Sequence, residues 1–380
     1  MRRLNDTLGR LSRLRNSPLP GGPGIPGEDR LTDLPAFGSN PGALRGRCYV
    51  PASLQASAAL VVVLHGCTQD AAGYDRGSGW SRLADEHGFA LLYPEQQRGN
   101  NPNLCFNWFN AADTRRDSGE ALSIRQMVAA MIATHGVDPA RVYVTGLSAG
   151  GAMASVMLAT YPEVFAGGAI IAGLPYGTAA SIPEAFDRMR AHGGPPAAAL
   201  GALVRAASPH RGPWPTISVW HGDSDATVSH ANSALIVEQW RALHGAAAAP
   251  DAVEPVDGHV RRVWRDSEGR DAIEEYRIAG LGHGTPLSTF GADACGTAGP
   301  YMLEAGISST RRIACAWGLL RTQSEAPGRD TAAEPQPRAT LPTPIAVAAQ
   351  RSRPQPEPEP ASGGVGRVIE DALRAAGLMR

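Results

Sequence analysis

Three residue types in this chain could together activate a hydroxyl against a carbonyl carbon: a serine in a glycine-walled turn, an aspartate and a histidine downstream of it. The serine is Ser148, within VYVTGLSAGGAM at residues 142–153. A β-branched run meets a small-residue turn there, and an alanine-rich, helix-favouring stretch follows. Gly146, Ser148 and Gly150 form G-x-S-x-G, a pattern in which strand, sharp turn and helix push the serine Oγ out above a sheet end. The turn holds the serine in a strained conformation, so neighbouring Cβ atoms would collide, and glycine relieves this. A free serine hydroxyl is a poor nucleophile and needs a base within hydrogen-bond reach.

The base candidate is His283, in LGHGTP at residues 281–286, a glycine-flanked loop after a predicted strand. Ten histidines compete for the role. His87, His135 and His244 fall near predicted helix ends, whereas His65 and His221 directly end predicted buried strands. The acid lies in HGDSDATV at residues 221–228, which holds Asp223 and Asp225. Asp225 fits the HG-x-x-D pattern, and Asp223 is then expected to face solvent or cap the next helix. Ser148, Asp225 and His283 follow one another in the α/β-hydrolase chain order.

Elements must position these groups, and the chain predicts an α/β series. ALVVVL at 59–64 is a continuous apolar run of the kind that forms a parallel strand buried on both faces. Further strands are expected at 47–50, 89–93, 164–172 and 216–220, with a hairpin through 260–264 and 273–278. Helices are expected at 80–87, 118–135, 149 onward and 232–243. Strand and helix alternate, which specifies a mainly parallel central sheet flanked by helices. The alanine- and proline-rich stretch 174–213 reads as a small helical cap inserted over the strand ends.

The first buried strand ends in His65-Gly66-Cys67, a turn that can bring the Cys67 N–H to an oxyanion. The helix after the nucleophile offers the Ala149 N–H and the positive end of its dipole. NNPNLCFNWFN at 100–110 packs aromatics into a polar loop, so Trp108, Phe109 and Asn110, with Tyr176 from AGLPYG, are the candidate substrate contacts. Cys67 and Cys105 lie in the two loops expected to flank the site and are candidates for a disulfide, or for two thiols in a reducing compartment.

Composition removes other classes. Lys+Arg number 35 against 36 Asp+Glu, so no basic nucleic-acid surface is expected. Five scattered cysteines without a C-x-x-C pair argue against zinc, and the chemistry calls for no metal or cofactor. No apolar run reaches membrane-span length, and the start lacks a signal-peptide core, so a cytoplasmic protein is expected. Leu4, Leu8, Leu11 and Leu14 give residues 1–16 an amphipathic helix, and 17–30 is a Pro/Gly linker. The catalytic domain is expected over 31–321. Residues 322–364 form a proline-rich tether, and 365–380 recover helical period.

LHGCTQD, CFNWFN, GLSAGGAM, AGLPYG, HGDSD and GHGTP, in this order, resemble the polyhydroxybutyrate depolymerase family of esterases, which is similar to feruloyl and acetylxylan esterases. The resemblance spans about residues 31–320. It implies an α/β-hydrolase fold and a triad at Ser148, Asp225 and His283, with oxyanion donors at Cys67 and Ala149. It also implies hydrolysis of short-chain hydroxyalkanoate polyester or its oligomers. An acyl- or feruloyl-removing carbohydrate esterase is the alternative enzyme, and a non-catalytic granule scaffold the alternative of another class. The two terminal helices are expected to meet a granule surface or a protein coating it.

Overall fold

Five residues carried on both faces by apolar contacts, Leu60–Leu64, make the strand around which the molecule is layered. Leu60, Val62 and Leu64 enter one core and Val61 and Val63 the other, all fully buried. Alternation of side chains across a pleated strand does this automatically, and it is why the run needs no polar face. The computed structural model describes residues 27–320, apart from 292 and 293. The expected helices at 1–16 and 365–380, the tether at 322–364 and most of the 17–30 linker lie outside the described residues.

In chain order the elements begin with β1 (Thr32–Asp33), β2 (Arg45–Tyr49), β3 (Leu60–Leu64), α1 (Ala71–Ser78), α2 (Trp80–His87) and β4 (Ala90–Glu95). Next come α3 (Ala111–Thr114), α4 (Gly119–His135), β5 (Val142–Leu147), α5 (Ala149–Thr160) and β6 (Gly167–Ile171). α6 (Ile182–Met189), α7 (Ala197–Ala207), β7 (Thr216–Gly222) and α8 (Ala231–His244) follow. The described chain closes with β8 (Ala252–Val256), β9 (His259–Arg265), β10 (Asp271–Ile278), β11 (Thr285–Leu287), β12 (Met302–Glu304) and α9 (Ser309–Ala316).

Ten strands form one sheet in the order β1-β2-β4-β3-β5-β6-β7-β10-β9-β8. From β4 to β10 neighbouring strands run parallel. Antiparallel strands extend both edges. The expected hairpin is β9 with β10, and β8, which sequence periodicity did not signal, pairs on its outer side. β8 carries Pro255, and proline is tolerated at a sheet edge, where a missing N–H breaks no ladder.

Helices α4, α5 and α8 cover one face through Ile124, Met127, Met157, Ile236 and Trp240. Helices α1, α2 and α9 cover the other through Tyr74, Trp80, Leu83 and Ile313. α5 is buried at every position, so it is apolar all round rather than amphipathic. The 174–213 stretch divides. Ala185 and Met189 of α6 reach the cluster beside the serine, whereas Val204 of α7 joins the main core. Its first helix therefore borders the serine, whereas its second packs into the body of the domain.

Candidate active site

Ser148 sits between β5 and α5 with φ 58° and ψ −118°, a conformation costly for a side-chain-bearing residue by about 1–3 kcal/mol. Its N–H donates to the Ile171 carbonyl at 2.9 Å, which anchors the turn to β6. A Cβ on Gly146 would stand 2.4 Å from the Gly150 carbonyl oxygen, and one on Gly150 would stand 2.3 Å from that of Leu64. Both glycines of G-x-S-x-G are thus required by backbone crossing backbone at the elbow.

The loops leaving β7 and β10 bring the partners to it. His283 Nδ1–H donates to Asp225 Oδ2 at 2.7 Å, and Ser148 Oγ–H donates to His283 Nε2 at 2.9 Å. All three residues are buried, with the Asp225 side chain fully enclosed. Thr227 and Val228 N–H groups donate to Asp225 Oδ1 at 2.8 and 2.9 Å. Burial alone would raise the pKa of Asp225, but hydrogen bonds from His221 and His283 outweigh it and hold the carboxyl well below the usual carboxylate range. Asp223 stands apart from the triad. Its Oδ1 accepts from Gly280 N–H at 2.8 Å, and its Oδ2 lies 3.8 Å from Arg277. The N-cap of α8 is His230, so Asp223 ties the β7 and β10 loops together instead of capping that helix.

Ala149 is the first residue of α5, where helix geometry leaves the N–H without an intrahelical acceptor. The Gly66–Cys67 peptide is braced from three sides. Gln69 Oε1 accepts from Gly66 N–H at 2.8 Å, and Thr68 N–H donates to the Asn103 carbonyl at 2.7 Å. Gln96 N–H donates to His65 Nε2 at 3.1 Å, which places the His65 proton on Nδ1, 2.8 Å from the Gly66 carbonyl. Burial keeps His65 below the usual histidine range, so its ring stays neutral there.

Cys67 and Cys105 are joined by a disulfide with their Cα atoms 4.2 Å apart. This bond hangs the 96–110 loop on the candidate oxyanion turn. Buried Glu120, in the first turn of α4, holds the same loop by accepting from Gln96 Nε2, Asn107 Nδ2 and Asn107 N–H. Burial pushes its carboxyl up to about 8, opposed by those donors and assisted by Asp113.

Trp108 is thereby packed into a cluster with Ala149, Leu174, Ala185 and Val228, with Phe109 and Met189 at its border. The Trp108 and Phe109 rings meet edge to face, 5.6 Å apart. Asn110 and Tyr176 lie outside that cluster. Asn110 caps α3, accepting from Ala112 N–H and donating to Asp113. Tyr176 packs against the main core, its backbone clasped by Gln239. Leu174, Val228 and Met189 had carried no chemical signal in the sequence, because an apolar wall residue looks like any core residue.

The family profile described as "Esterase PHB depolymerase" matches residues 47–261. The chain belongs to this family. It is 49% identical over 292 residues to poly(3-hydroxyalkanoate) depolymerase C of Paucimonas lemoignei, covering 76% of this chain and 70% of that protein. It is 32% identical to feruloyl esterase B of Talaromyces funiculosus, over 67% of this chain and 73% of that one. Among solved structures, an acetyl xylan esterase from Aspergillus awamori superposes with a TM-score of 0.61 at 27% identity, covering 67% of this chain and 93% of that one. The family is one of serine esterases on an α/β-hydrolase fold, and the Ser148 hydroxyl, bonded to an imidazole that is itself bonded to a carboxylate, is the arrangement such chemistry needs. Among the described residues no helix is long and apolar enough to cross a membrane.

Proposed function

We propose that the chain cleaves the ester bonds of short-chain polyhydroxyalkanoate, poly-3-hydroxybutyrate or its oligomers, through an acyl-enzyme. Ser148 Oγ attacks the ester carbonyl carbon as His283 Nε2 takes its proton. The carbonyl oxygen becomes an oxyanion between the Cys67 and Ala149 N–H groups, each such donor being worth roughly 2.7–4 kcal/mol in the transition state. Collapse expels the alcohol end of the chain, which takes the proton from His283. Water then repeats the cycle on the acyl-serine and releases the acid. Asp225 holds the imidazole by Nδ1–H and stabilises the imidazolium throughout.

The observation that carries this reading is the 49% identity to a polyhydroxyalkanoate depolymerase, against 32% to feruloyl and acetylxylan esterases. The apolar wall of Trp108, Leu174 and Val228 beside Ala149 suits an aliphatic acyl unit. Release of 3-hydroxybutyrate from amorphous polymer is expected to exceed release of ferulate or acetate from xylan, and the reverse order would transfer the assignment to the carbohydrate esterases.

We further propose that one or both of the terminal stretches, residues 1–16 and 365–380, hold the enzyme at a polymer granule or at a protein coating it, in the cytoplasm. Loss of residues 365–380 should weaken sedimentation with granules and leave hydrolysis of a soluble ester unchanged. Equal sedimentation by both forms would dispose of that role. The Cys67–Cys105 bond speaks for an oxidising compartment instead, and cell fractionation decides between the two.

A further inference from the structure

Asp225 shares one carboxylate oxygen between two imidazoles. His283 Nδ1 lies 2.7 Å from Oδ2, and on its other side His221 Nε2 lies 3.3 Å from the same atom. His221 is the penultimate residue of β7 and is 3% exposed; its Nε2–H donates to the Val228 carbonyl oxygen at 2.9 Å, with Oδ2 as its longer second contact. Both neighbours of Nε2 are acceptors, so that nitrogen carries a proton whatever the charge of the ring. Its Nδ1 is buried without a protein partner among the described residues. A side chain present only for packing would avoid leaving a buried acceptor unmet, which points to a ring orientation set by what Nε2 does.

We propose that His221 is a positioning residue for the catalytic acid, holding Asp225 Oδ2 in line with His283 and drawing part of its charge away from that imidazole. The proposal rests on the triad reading above. Thr227 and Val228 pin Oδ1 alone, so the direction of Oδ2 is left to the two histidines. His283 takes and returns a proton in each cycle, whereas His221 sits in β7 and takes no part in the transfer. Without it, Oδ2 has His283 as its one imidazole partner, and the full carboxylate charge falls on that ring, making it more basic. The other charged groups at this end of the sheet are engaged elsewhere: Arg277, the register neighbour of His221 on β10, lies 3.8 Å from Asp223, and Glu275 pairs with Arg262 at 2.7 Å.

The test uses the full chain and a soluble short-chain ester, with rates normalised to Ser148 labelled by a fluorophosphonate. His221→Phe should lower kcat by about 10-fold, the order of one long imidazole–carboxylate contact, with KM little changed. The acid limb of its kcat/KM profile should move to higher pH. His221→Gln, whose amide N–H reaches the place of Nε2, should recover most of the rate and return the limb. If the phenylalanine variant yields no labelled serine, His221→Asn carries the same expectation, since its amide lies at the Nδ1 position and stops short of Asp225. Unchanged kcat and limb in the variants lacking the donor would overturn the proposal. So would equal losses in the Gln and Phe variants with an unmoved limb, which would make His221 a packing residue. Persistent activity in Ser148→Ala would instead sink the triad itself, a result no His221 variant can mimic.

Discussion

Two buried carboxylates govern the two walls of the site, and their protonation is driven in opposite directions. Asp225, on the acid–base wall, receives two backbone N–H groups and faces two imidazoles, and its pKa falls. Glu120, behind the Cys67–Phe109 wall, receives amide donors only and has Asp113 nearby, so burial prevails and its pKa rises to about 8. Enclosure alone therefore does not set the chemistry; the groups that face each carboxyl do. One wall keeps a permanent anion to steer an imidazole. The other uses a carboxyl as a structural clamp on a loop.

The comparison breaks most sharply at the acid–base wall. Ser148→Ala and His283→Ala should each cost roughly 10⁴- to 10⁶-fold in kcat on a soluble ester, and the double variant little more, because triad members act as a unit. Additive losses would mean the two residues serve separate steps. Asp225→Asn should cost about 10⁴-fold, as it would favour the wrong imidazole tautomer. Asp223→Asn, whose carboxylate meets Gly280, Ser224 and Arg277 but no triad member, should keep most of the activity, and a comparable loss there would reverse the choice of acid.

Changes in the opposite wall should be smaller and should leave Ser148 labelling intact. Replacing Cys105 with serine opens a link across 38 residues, for which the chain-entropy model gives a stability loss of about 3–4 kcal/mol. We expect a lower Tm and a kcat reduced by about tenfold, less than for full removal of an oxyanion donor, because Gln69 and His65 still brace the turn. An unchanged Tm and kcat after reduction of the bond would show that the wall does not hang on it.

The smallest effect lies in the pH dependence of stability. Glu120 has a folded pKa above its unfolded value, so its contribution is fully present below about 4.5 and is lost as pH rises towards about 8. Asp225 has a depressed folded pKa, so its contribution is present above the ordinary carboxylate pKa and is lost as pH falls through the folded value. The wild type should lose stability between pH 5 and 8, by on the order of a few kcal/mol at most, read as a falling Tm, and Glu120→Gln should flatten that decline. It should leave the acid-side loss in place. A decline of the same size in the variant would assign it to another group.

The chain itself determined whatever depends on neighbours in sequence. The Ser148 elbow is legible because strand, glycine turn and helix are contiguous, and β3 is legible because burial on both faces demands an unbroken apolar run. The order Ser148, Asp225, His283 was legible for the same reason, each residue following a strand of one parallel sheet. α1 and α9 escaped notice, since Gly73, Gly77 and the arginines of α9 blur their helical period. Only the tertiary structure decided which side chains the loops deliver. Asn110 and Tyr176 sit in motifs beside the site, yet Asn110 caps α3 and Tyr176 packs against the main core while Gln239 holds its backbone. His221 was set aside as the end of a buried strand, and it is one, but the turn back to Asp225 brings its Nε2 to the catalytic carboxylate. Contacts across 38 residues at the disulfide, or 58 between Asp225 and His283, are fixed by how the loops close over the strand ends, and no local spacing encodes that closure.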